Sequence, residues 1–323
     1  EIPEYMSRRM PEVNGVFVQS ESEIAAINMV YGAAASGMRA MTSSSSPGIS
    51  LKQEGISYLA GAELPAVIVN IMRGGPGLGS IQPAQSDYFQ ATRGGGNGDY
   101  RTLVLAPNSV QEAAELTQEA FFLADLYRNP VMLLADGMIG QMMEPILWSS
   151  APERALPAKR WAADGRRGRP QNNFITSLAL DAQKCQAHNL KLAQKYTQME
   201  QREVRWEEQD VRDTRLLIVA YGTTSRIVQS ALEVLEQRYY LKAGLFRPIT
   251  LWPFPAGRLR ELAMQNSVQA VLVVEMSQGQ MVDDVRLAVG GGKTVRFLGT
   301  AGGILPSVED IVLAAQQARS EVM

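Results

Sequence analysis

Two glutamates, Glu21 and Glu23, follow the apolar run Val16-Phe-Val-Gln-Ser20 and open an otherwise apolar helix pattern. A carboxylate at a helix start is favoured by the helix dipole, so capping is one reading of the pair. The other is a carboxylate facing a ligand, because open parallel α/β sheets bind ligands beyond the carboxyl ends of their strands. Both hold if each glutamate takes one role. Ser43–Gly48 and the glycine-rich stretch Arg73–Arg101 also follow strand patterns, which puts them on the same edge. Unstructured stretches of that length are usually functional or disordered. Arg73 closes an apolar run, where its planar fork could grip a carboxylate. A surface or interdomain salt bridge is the alternative reading of that arginine.

Other chemistries are excluded. Gly292-Lys293-Thr294 imitates the end of a phosphate-binding loop, but Leu287 stands where the first glycine belongs and a helix precedes it instead of a strand. Gly74–Gly79 and Gly94–Gly98 lack the closing glycine of a dinucleotide fingerprint. The single histidine, His188, lies in a polar helical segment, and no glycine-elbow serine accompanies it. It reads as a solvated helix residue.

These residues need a scaffold, and the pattern supplies one. Short β-rich runs alternate with helical patterns from Val16 to Ala135, as in βαβ units on a largely parallel sheet. Strands are predicted near Gly15–Gln19, Met38–Thr42, Ala66–Met72, Thr102–Leu105 and Val131–Ala135. Ser109-Val-Gln-Glu112 is a capping box for a helix running to about Tyr127, and Gly37 is placed to end the helix that begins near Glu21. Beyond Pro145 the periodicity fades into Pro157–Pro170, followed by a polar stretch, Asn173–Glu208, that reads as one long exposed helix. A second alternating block contains Leu216–Ala220, a helix from Gly222-Thr-Thr-Ser225 to about Arg238, Ala270–Glu275, a helix near Met281–Ala288 and Thr294–Leu298. Ser307-Val-Glu-Asp310 opens the last helix. The expected organisation is a first α/β domain over 1–157, a connector with a long helix over 158–213 and a second α/β domain over 214–323.

Composition narrows the function. With 323 residues and 46% hydrophobic content, the chain can bury two cores. Its 31 basic and 33 acidic residues nearly balance, which gives no charge-based case for nucleic acid or an anionic membrane. One cysteine, Cys185, and one histidine leave no intrachain disulfide, no iron–sulfur cluster and no His/Cys metal site of the chain's own. Apolar runs such as Pro65–Met72 fall far short of the roughly 18 residues of a membrane span. A cytoplasmic protein is expected. The chain begins at Glu1 rather than at a methionine or a signal peptide, so a segment upstream is expected as well.

Four motifs occur in order: Gln19-Ser-Glu-Ser-Glu23-Ile-Ala-Ala, Met41-Thr-Ser-Ser-Ser-Ser-Pro-Gly48-Ile-Ser-Leu-Lys-Gln-Glu54, Ile71-Met-Arg-Gly-Gly-Pro-Gly-Leu-Gly79 and Arg247-Pro-Ile-Thr-Leu-Trp-Pro-Phe-Pro255. Together they resemble the α-type subunit of 2-oxoacid:ferredoxin oxidoreductases over most of the chain. The resemblance implies a thiamine-diphosphate pyrimidine-binding fold followed by a transketolase C-terminal-like domain, in agreement with the two α/β blocks. It implies that Glu23, matched by its spacing to Gly32, hydrogen-bonds N1′ of the aminopyrimidine. The tautomer so favoured takes the thiazolium C2 proton, and the resulting ylid attacks the 2-oxo carbon. Ser45 and Gly48 are implied as further cofactor-binding positions. Arg73 matches an arginine that binds the substrate carboxylate. The implied reaction is oxidative decarboxylation, with single electrons passed through iron–sulfur clusters to ferredoxin and the acyl group captured by coenzyme A, as in anaerobic metabolism.

The sequence departs from the family's full pattern at two points. The Gly-Tyr-Pro-Ile-Thr-Pro segment, whose threonine contacts substrate in the family, normally lies just upstream of the equivalent of Glu1–Pro11. No Gly-Asp-Gly…Asn motif for diphosphate and Mg²⁺ is present, and no cysteine run for clusters. The resemblance therefore implies a β-type partner subunit carrying the diphosphate, Mg²⁺ and cluster sites, with a γ-type and a small ferredoxin-like subunit beside it and the active site at the interface. Ser43–Gly48 and Gly94–Arg101 look most like the 2-oxoisovalerate branch. A 2-oxoglutarate enzyme subunit and a non-catalytic scaffold of the same fold are the alternatives.

Overall fold

The computed structural model describes residues 2–148 and 154–320. The first part contains α1 (Ile2–Arg9), α2 (Glu23–Ala35), β1 (Met41–Ser44), α3 (Pro47–Gly61), β2 (Ala66–Met72), α4 (Tyr88–Arg93), β3 (Leu103–Leu105), α5 (Val110–Tyr127), β4 (Pro130–Asp136) and α6 (Gly137–Gln141). A long helix, α7 (Ala182–Arg202), leads to β5 (Trp206–Gln209), β6 (Leu216–Val219), α8 (Gly222–Tyr239), β7 (Ala243–Pro248), β8 (Thr250–Trp252) and α9 (Ala256–Ala263). The chain then forms β9 (Ala270–Glu275), α10 (Met281–Val289), β10 (Thr294–Gly299) and α11 (Val308–Ser320).

Two five-stranded sheets result, ordered β1-β2-β4-β3-β8 and β10-β9-β6-β7-β5. Four strands of each are parallel, and each sheet ends on one antiparallel strand. Helices cover both faces, so the strands read as continuous apolar runs. Val67, Ile68, Leu103, Val131, Ile218 and Val273 are all fully buried. The antiparallel edges exchange chain between the two units. β8 follows the first three strands of the second unit, yet pairs with β3 of the first. One apolar core runs through both units and includes Ile68 and Leu134 with Leu217, Tyr221 and Val273.

Local chemistry sets several boundaries. Ser109 Oγ accepts from Glu112 N at 3.1 Å, and Ser307 with Asp310 forms a reciprocal box, Ser307 N to Asp310 Oδ2 at 2.9 Å and Asp310 N to Ser307 Oγ at 3.0 Å. Gly37 follows α2 at φ +88°, the left-handed backbone that stops a helix. Two expectations change. The strand predicted over Gly15–Gln19 joins no sheet, and Val16 and Val18 are 83% and 61% exposed. A strand needs a neighbour to satisfy its backbone, and alternation alone does not supply one. The long polar helix predicted over Asn173–Glu208 occupies only Ala182–Arg202, started by Asp181 accepting from Lys184 N. Its tail becomes β5. Among the described residues no helix is long and apolar enough to cross a membrane.

Candidate functional site

The carboxyl ends of β1 and β2 form the corner where the sequence-predicted residues meet. Ser22 caps α2, accepting from Ala25 N at 3.4 Å, so Glu23 is the first helical residue. Its half-buried side chain lies against Gly48 at the start of α3: a Cβ built on Gly48 would stand 2.8 Å from Glu23 Oε1 and 2.0 Å from Ser44 Oγ. Any side chain there would displace the carboxylate. Glu21 is exposed and takes a long 3.4 Å contact from Gln19 Nε2. The pair is divided: Glu23 faces the sheet edge and Glu21 faces solvent. Ser45 is half-buried in the turn between β1 and α3, and its carbonyl accepts from Gly48 N at 2.9 Å.

That turn is held by a polar cluster that spacing did not reveal. Ser46 carries φ +23°, a strained backbone for a serine, and its N–H donates to Asn70 Oδ1 at 3.1 Å. Its hydroxyl donates to Asp87 Oδ2 at 2.6 Å and accepts from Arg73 N at 3.1 Å, while Asn70 Nδ2 also donates to Asp87 at 2.9 Å. Asp87 thus fixes the Ser46 turn to the end of β2. Its distance in sequence from both partners hid it. Arg73, the residue after β2, is oriented by this cluster through its backbone. Its half-buried guanidinium makes no ion pair among the described residues, and its Nε is buried without a hydrogen-bond partner. A buried donor left unpaired is costly, so an acceptor brought to this corner would be stabilised.

The rest of the edge is used by the second unit. Asp136, at the end of β4, accepts from Thr223 Oγ1 at 2.6 Å, Thr223 N at 3.1 Å and two amides of α6. Its burial raises the carboxyl pKa, and the Thr223 and amide donors work against that. Gln85, fully buried, donates to the Tyr221 carbonyl at 2.8 Å and accepts from Met276 N at 3.0 Å. The glycine-rich stretch is therefore docked rather than loose. Tyr88 Oη donates to Asp284 at 2.6 Å, Arg93 pairs with Asp284 at 3.1 Å, and Ser80 Oγ donates to the Gly302 carbonyl at 3.2 Å. Glu275, at the end of β9, accepts from the Gln280, Met281 and Val282 amides and so starts α10.

The discarded motifs keep structural roles. His188 Nε2 lies 2.7 Å from the Gly61 carbonyl and Lys293 Nζ donates to the Val268 carbonyl at 2.6 Å. Arg247, which opens the last of the four family motifs, grips Glu112 with two bonds of 2.8 and 2.9 Å. A groove of about 690 Å³ between Trp206, Phe254 and Arg258 includes none of the corner residues. Among the described residues no group of three or more His, Cys, Asp or Glu side chains could hold a metal ion.

Residues 1–211 match the pyruvate flavodoxin/ferredoxin oxidoreductase thiamine-diphosphate-binding family, and residues 215–311 match pyruvate:ferredoxin oxidoreductase core domain II. The ketoisovalerate oxidoreductase subunit VorB of Methanothermobacter marburgensis is 51% identical over 99% of this chain and 90% of its own. The 2-oxoglutarate synthase subunit KorA of Methanothermobacter thermautotrophicus is 36% identical over 97% of this chain and 89% of its own. In three dimensions the chain matches a 2-oxoglutarate:ferredoxin oxidoreductase from Magnetococcus marinus, solved with 2-oxoglutarate, coenzyme A and succinyl-CoA. The TM-score is 0.82 at 25% identity, over all of this chain and 60% of that longer one. A split-gene transketolase shares the fold, with a TM-score of 0.59 at 16% identity over 98% of this chain and 86% of that one.

Proposed function

The chain belongs to the pyruvate and 2-oxoacid:ferredoxin oxidoreductase family, and on that footing we propose that it is the α-type subunit of a 2-oxoisovalerate:ferredoxin oxidoreductase, supplying the pyrimidine half of a shared thiamine-diphosphate site. The observation that carries the reading is the Glu23 carboxylate held against Gly48, on the same sheet edge as the half-buried Arg73, whose guanidinium makes no ion pair among the described residues. These groups fit the cofactor and substrate classes: one carboxylate for a ring nitrogen, a glycine whose missing side chain leaves that carboxylate its place, and a guanidinium for a 2-oxoacid carboxylate. When bound, thiamine diphosphate supplies the carbon nucleophile that adds to the 2-oxo carbon and holds the electron pair released by decarboxylation.

Glu23 holds the ring nitrogen and exchanges a proton with it at a carboxyl oxygen, work that suits a carboxylate at a helix start, where the dipole favours its charge. Arg73 orients the substrate through its carboxylate, and Ser45 and Gly48 line the approach. The diphosphate-binding site, Mg²⁺ and the iron–sulfur clusters belong to partner subunits: a β-type subunit carrying the diphosphate site, with γ-type and small ferredoxin-like subunits completing a cytoplasmic complex that uses coenzyme A and ferredoxin. The higher identity to the ketoisovalerate relative than to the 2-oxoglutarate relative supports the branched-chain substrate.

The test is reconstitution with the β-type subunit, thiamine diphosphate, coenzyme A and a viologen acceptor. The complex should reduce the acceptor with 2-oxoisovalerate at a higher kcat/KM than with 2-oxoglutarate. Glu23→Gln should lower kcat by roughly a hundredfold or more. Arg73→Lys should raise the 2-oxoacid KM about tenfold or more without weakening cofactor binding, since a point charge replaces a bidentate fork. A preference for 2-oxoglutarate would reassign the substrate, and an active Glu23→Gln complex would remove Glu23 from the reaction.

A further inference from the structure

Lys52 lies one helical turn beyond Gly48 on α3, and it is 2% exposed. Positions four apart share a helix face, and the side chain of the later one leans toward the helix start. Lys52 therefore reaches back along the face of α3 that carries Gly48, against which the Glu23 carboxylate lies. Its Nζ donates to Thr42 Oγ1 at 2.8 Å and to the Ser43 carbonyl at 3.1 Å, both in β1. Among the described residues it forms no ion pair.

A fully buried lysine without a paired carboxylate is unusual, because removing an ammonium from water is expensive and one hydroxyl with one carbonyl recovers only part of its hydration. A methionine of similar length would fill the same space at lower cost. Burial lowers the pKa of Lys52, and the field of Glu23 works against that lowering. The other nearby carboxylates are engaged elsewhere: Asp87 by Ser46 and Asn70, and Asp136 of β4 by Thr223 and two amides of α6. α2 carries no charged residue besides Glu23, and its other titratable group is Tyr31. β1 carries none. On α3 the remaining charge is Glu54, whose carboxylate accepts from Tyr58 Oη on the exposed side. Glu21, before α2, is exposed.

We propose that Lys52 is a positioning residue for Glu23, its sealed ammonium holding the carboxylate at the sheet edge and easing transfer of the carboxyl proton to the cofactor's ring nitrogen. The inference rests on the role given to Glu23 above. It explains why a charge is kept where an apolar side chain would pack. The favourable field acts on the ionised carboxylate, so the charge on Lys52, beyond its two hydrogen bonds, should shape the pH profile of the proton transfer that uses Glu23.

The experiment uses the assembled complex with thiamine diphosphate and no 2-oxoacid. Exchange of the cofactor's C2 proton for deuterium is followed across pH by acid quench and proton NMR, and thermal unfolding is recorded beside it. Lys52→Met should displace the acid limb of the exchange profile upward. Lys52→Gln keeps a donor for Thr42 and Ser43 without the charge, and should move it as far. Lys52→Arg should leave the limb in place. An unmoved limb in Lys52→Gln, with or without a lower Tm, would overturn the proposal and leave Lys52 as a packing pin between β1 and α3. Should Lys52→Met fail to assemble, Lys52→Gln and Lys52→Arg decide alone. Glu23→Gln separates the two readings. If it abolishes exchange while Lys52→Gln changes nothing, only the lysine assignment fails; if exchange survives Glu23→Gln, the site assignment fails first.

Discussion

Gly48→Ala adds one methyl group and tests the geometry of the corner. Gly48 is helical and has no positive φ, so alanine would by itself favour α3 by up to about 1 kcal/mol. The new Cβ, however, would stand 2.0 Å from Ser44 Oγ, 2.8 Å from Glu23 Oε1 and 3.1 Å from Glu23 Cγ. Ser44 Oγ can rotate away about one bond. Glu23 must withdraw by about 0.6 Å to restore an ordinary contact. Overpacking costs on the order of 1–3 kcal/mol and the helix gain offsets part of it, so net stability should fall by at most about 3 kcal/mol. Activity should fall further, because misplacing a reacting group by a fraction of an ångström to 1 Å costs on the order of 10- to 100-fold. The assay is 2-oxoacid-dependent viologen reduction by the assembled complex, with Tm and calorimetric cofactor affinity measured on the same samples. Adding Ser44→Ala removes the 2.0 Å collision but leaves the approach to Glu23, so the double variant should remain slow. Wild-type activity in Gly48→Ala, or full recovery in the double variant, would refute the claim that Gly48 exists to seat the Glu23 carboxylate.

Two further outcomes concern the frame around the corner. Gln85→Ala should cost about 1–3 kcal/mol in denaturant unfolding, because it strands the buried Met276 amide at the join between the units and leaves the Tyr221 carbonyl only its bond from Thr224 Oγ1; a cost under about 1 kcal/mol would show that water replaces the side chain. Lys195 lies beside Glu63, its Nζ 3.6 Å from the carboxylate, and burial pushes its pKa down to about 8 even though Glu63 pulls it up. The unfolded chain then binds a proton that the folded chain has lost, so stability should rise between about pH 8 and roughly 10.4. In thermal melts Lys195→Met should remove about 1–2 kcal/mol of that rise, and an identical pH dependence in the variant would show that Lys195 titrates normally.

The parts of this fold visible in the sequence are those decided by neighbouring residues. Ala66–Met72 reads as a buried strand because both its faces are apolar, and it is one. The boxes at Ser109 and Ser307 are visible because a cap needs only a hydroxyl and a partner three residues later. The corner's principal members, Glu23, Gly48 and Arg73, each follow a strand or a cap, which is what makes their placement readable. What escaped depends on distant partners. Val16 and Val18 alternate like a strand without a neighbour to pair with. β8 is three residues long and acquires its sheet by pairing with β3, far back in the chain. Lys52 looks in sequence like an ordinary solvated helix position, and only the packing of α3 on β1 buries it. Asp87 sits within a glycine-rich stretch that reads as loop, and only the fold brings it to Ser46 and Asn70.

The docking of the two units also accounts for where the chemistry can sit. In an open parallel sheet every strand offers its carboxyl end to a ligand. Here β4 gives its end to the second unit through Asp136 and Thr223, and the stretch after Arg73 is drawn across the same side by Gln85, Tyr88 and Ser80. The ends of β1 and β2 are what remain, and these carry the strained Ser46 turn, the unpaired Arg73 and, against Gly48, the first residue of α2. Strain at Ser46 persists because Asn70, Asp87 and the Arg73 amide all hold it. A corner assembled this way is rigid where Ser46, Asn70 and Asp87 meet, and Glu23 and Arg73 stay half-buried at its rim. That is the geometry a site needs if a second subunit is to supply its missing half.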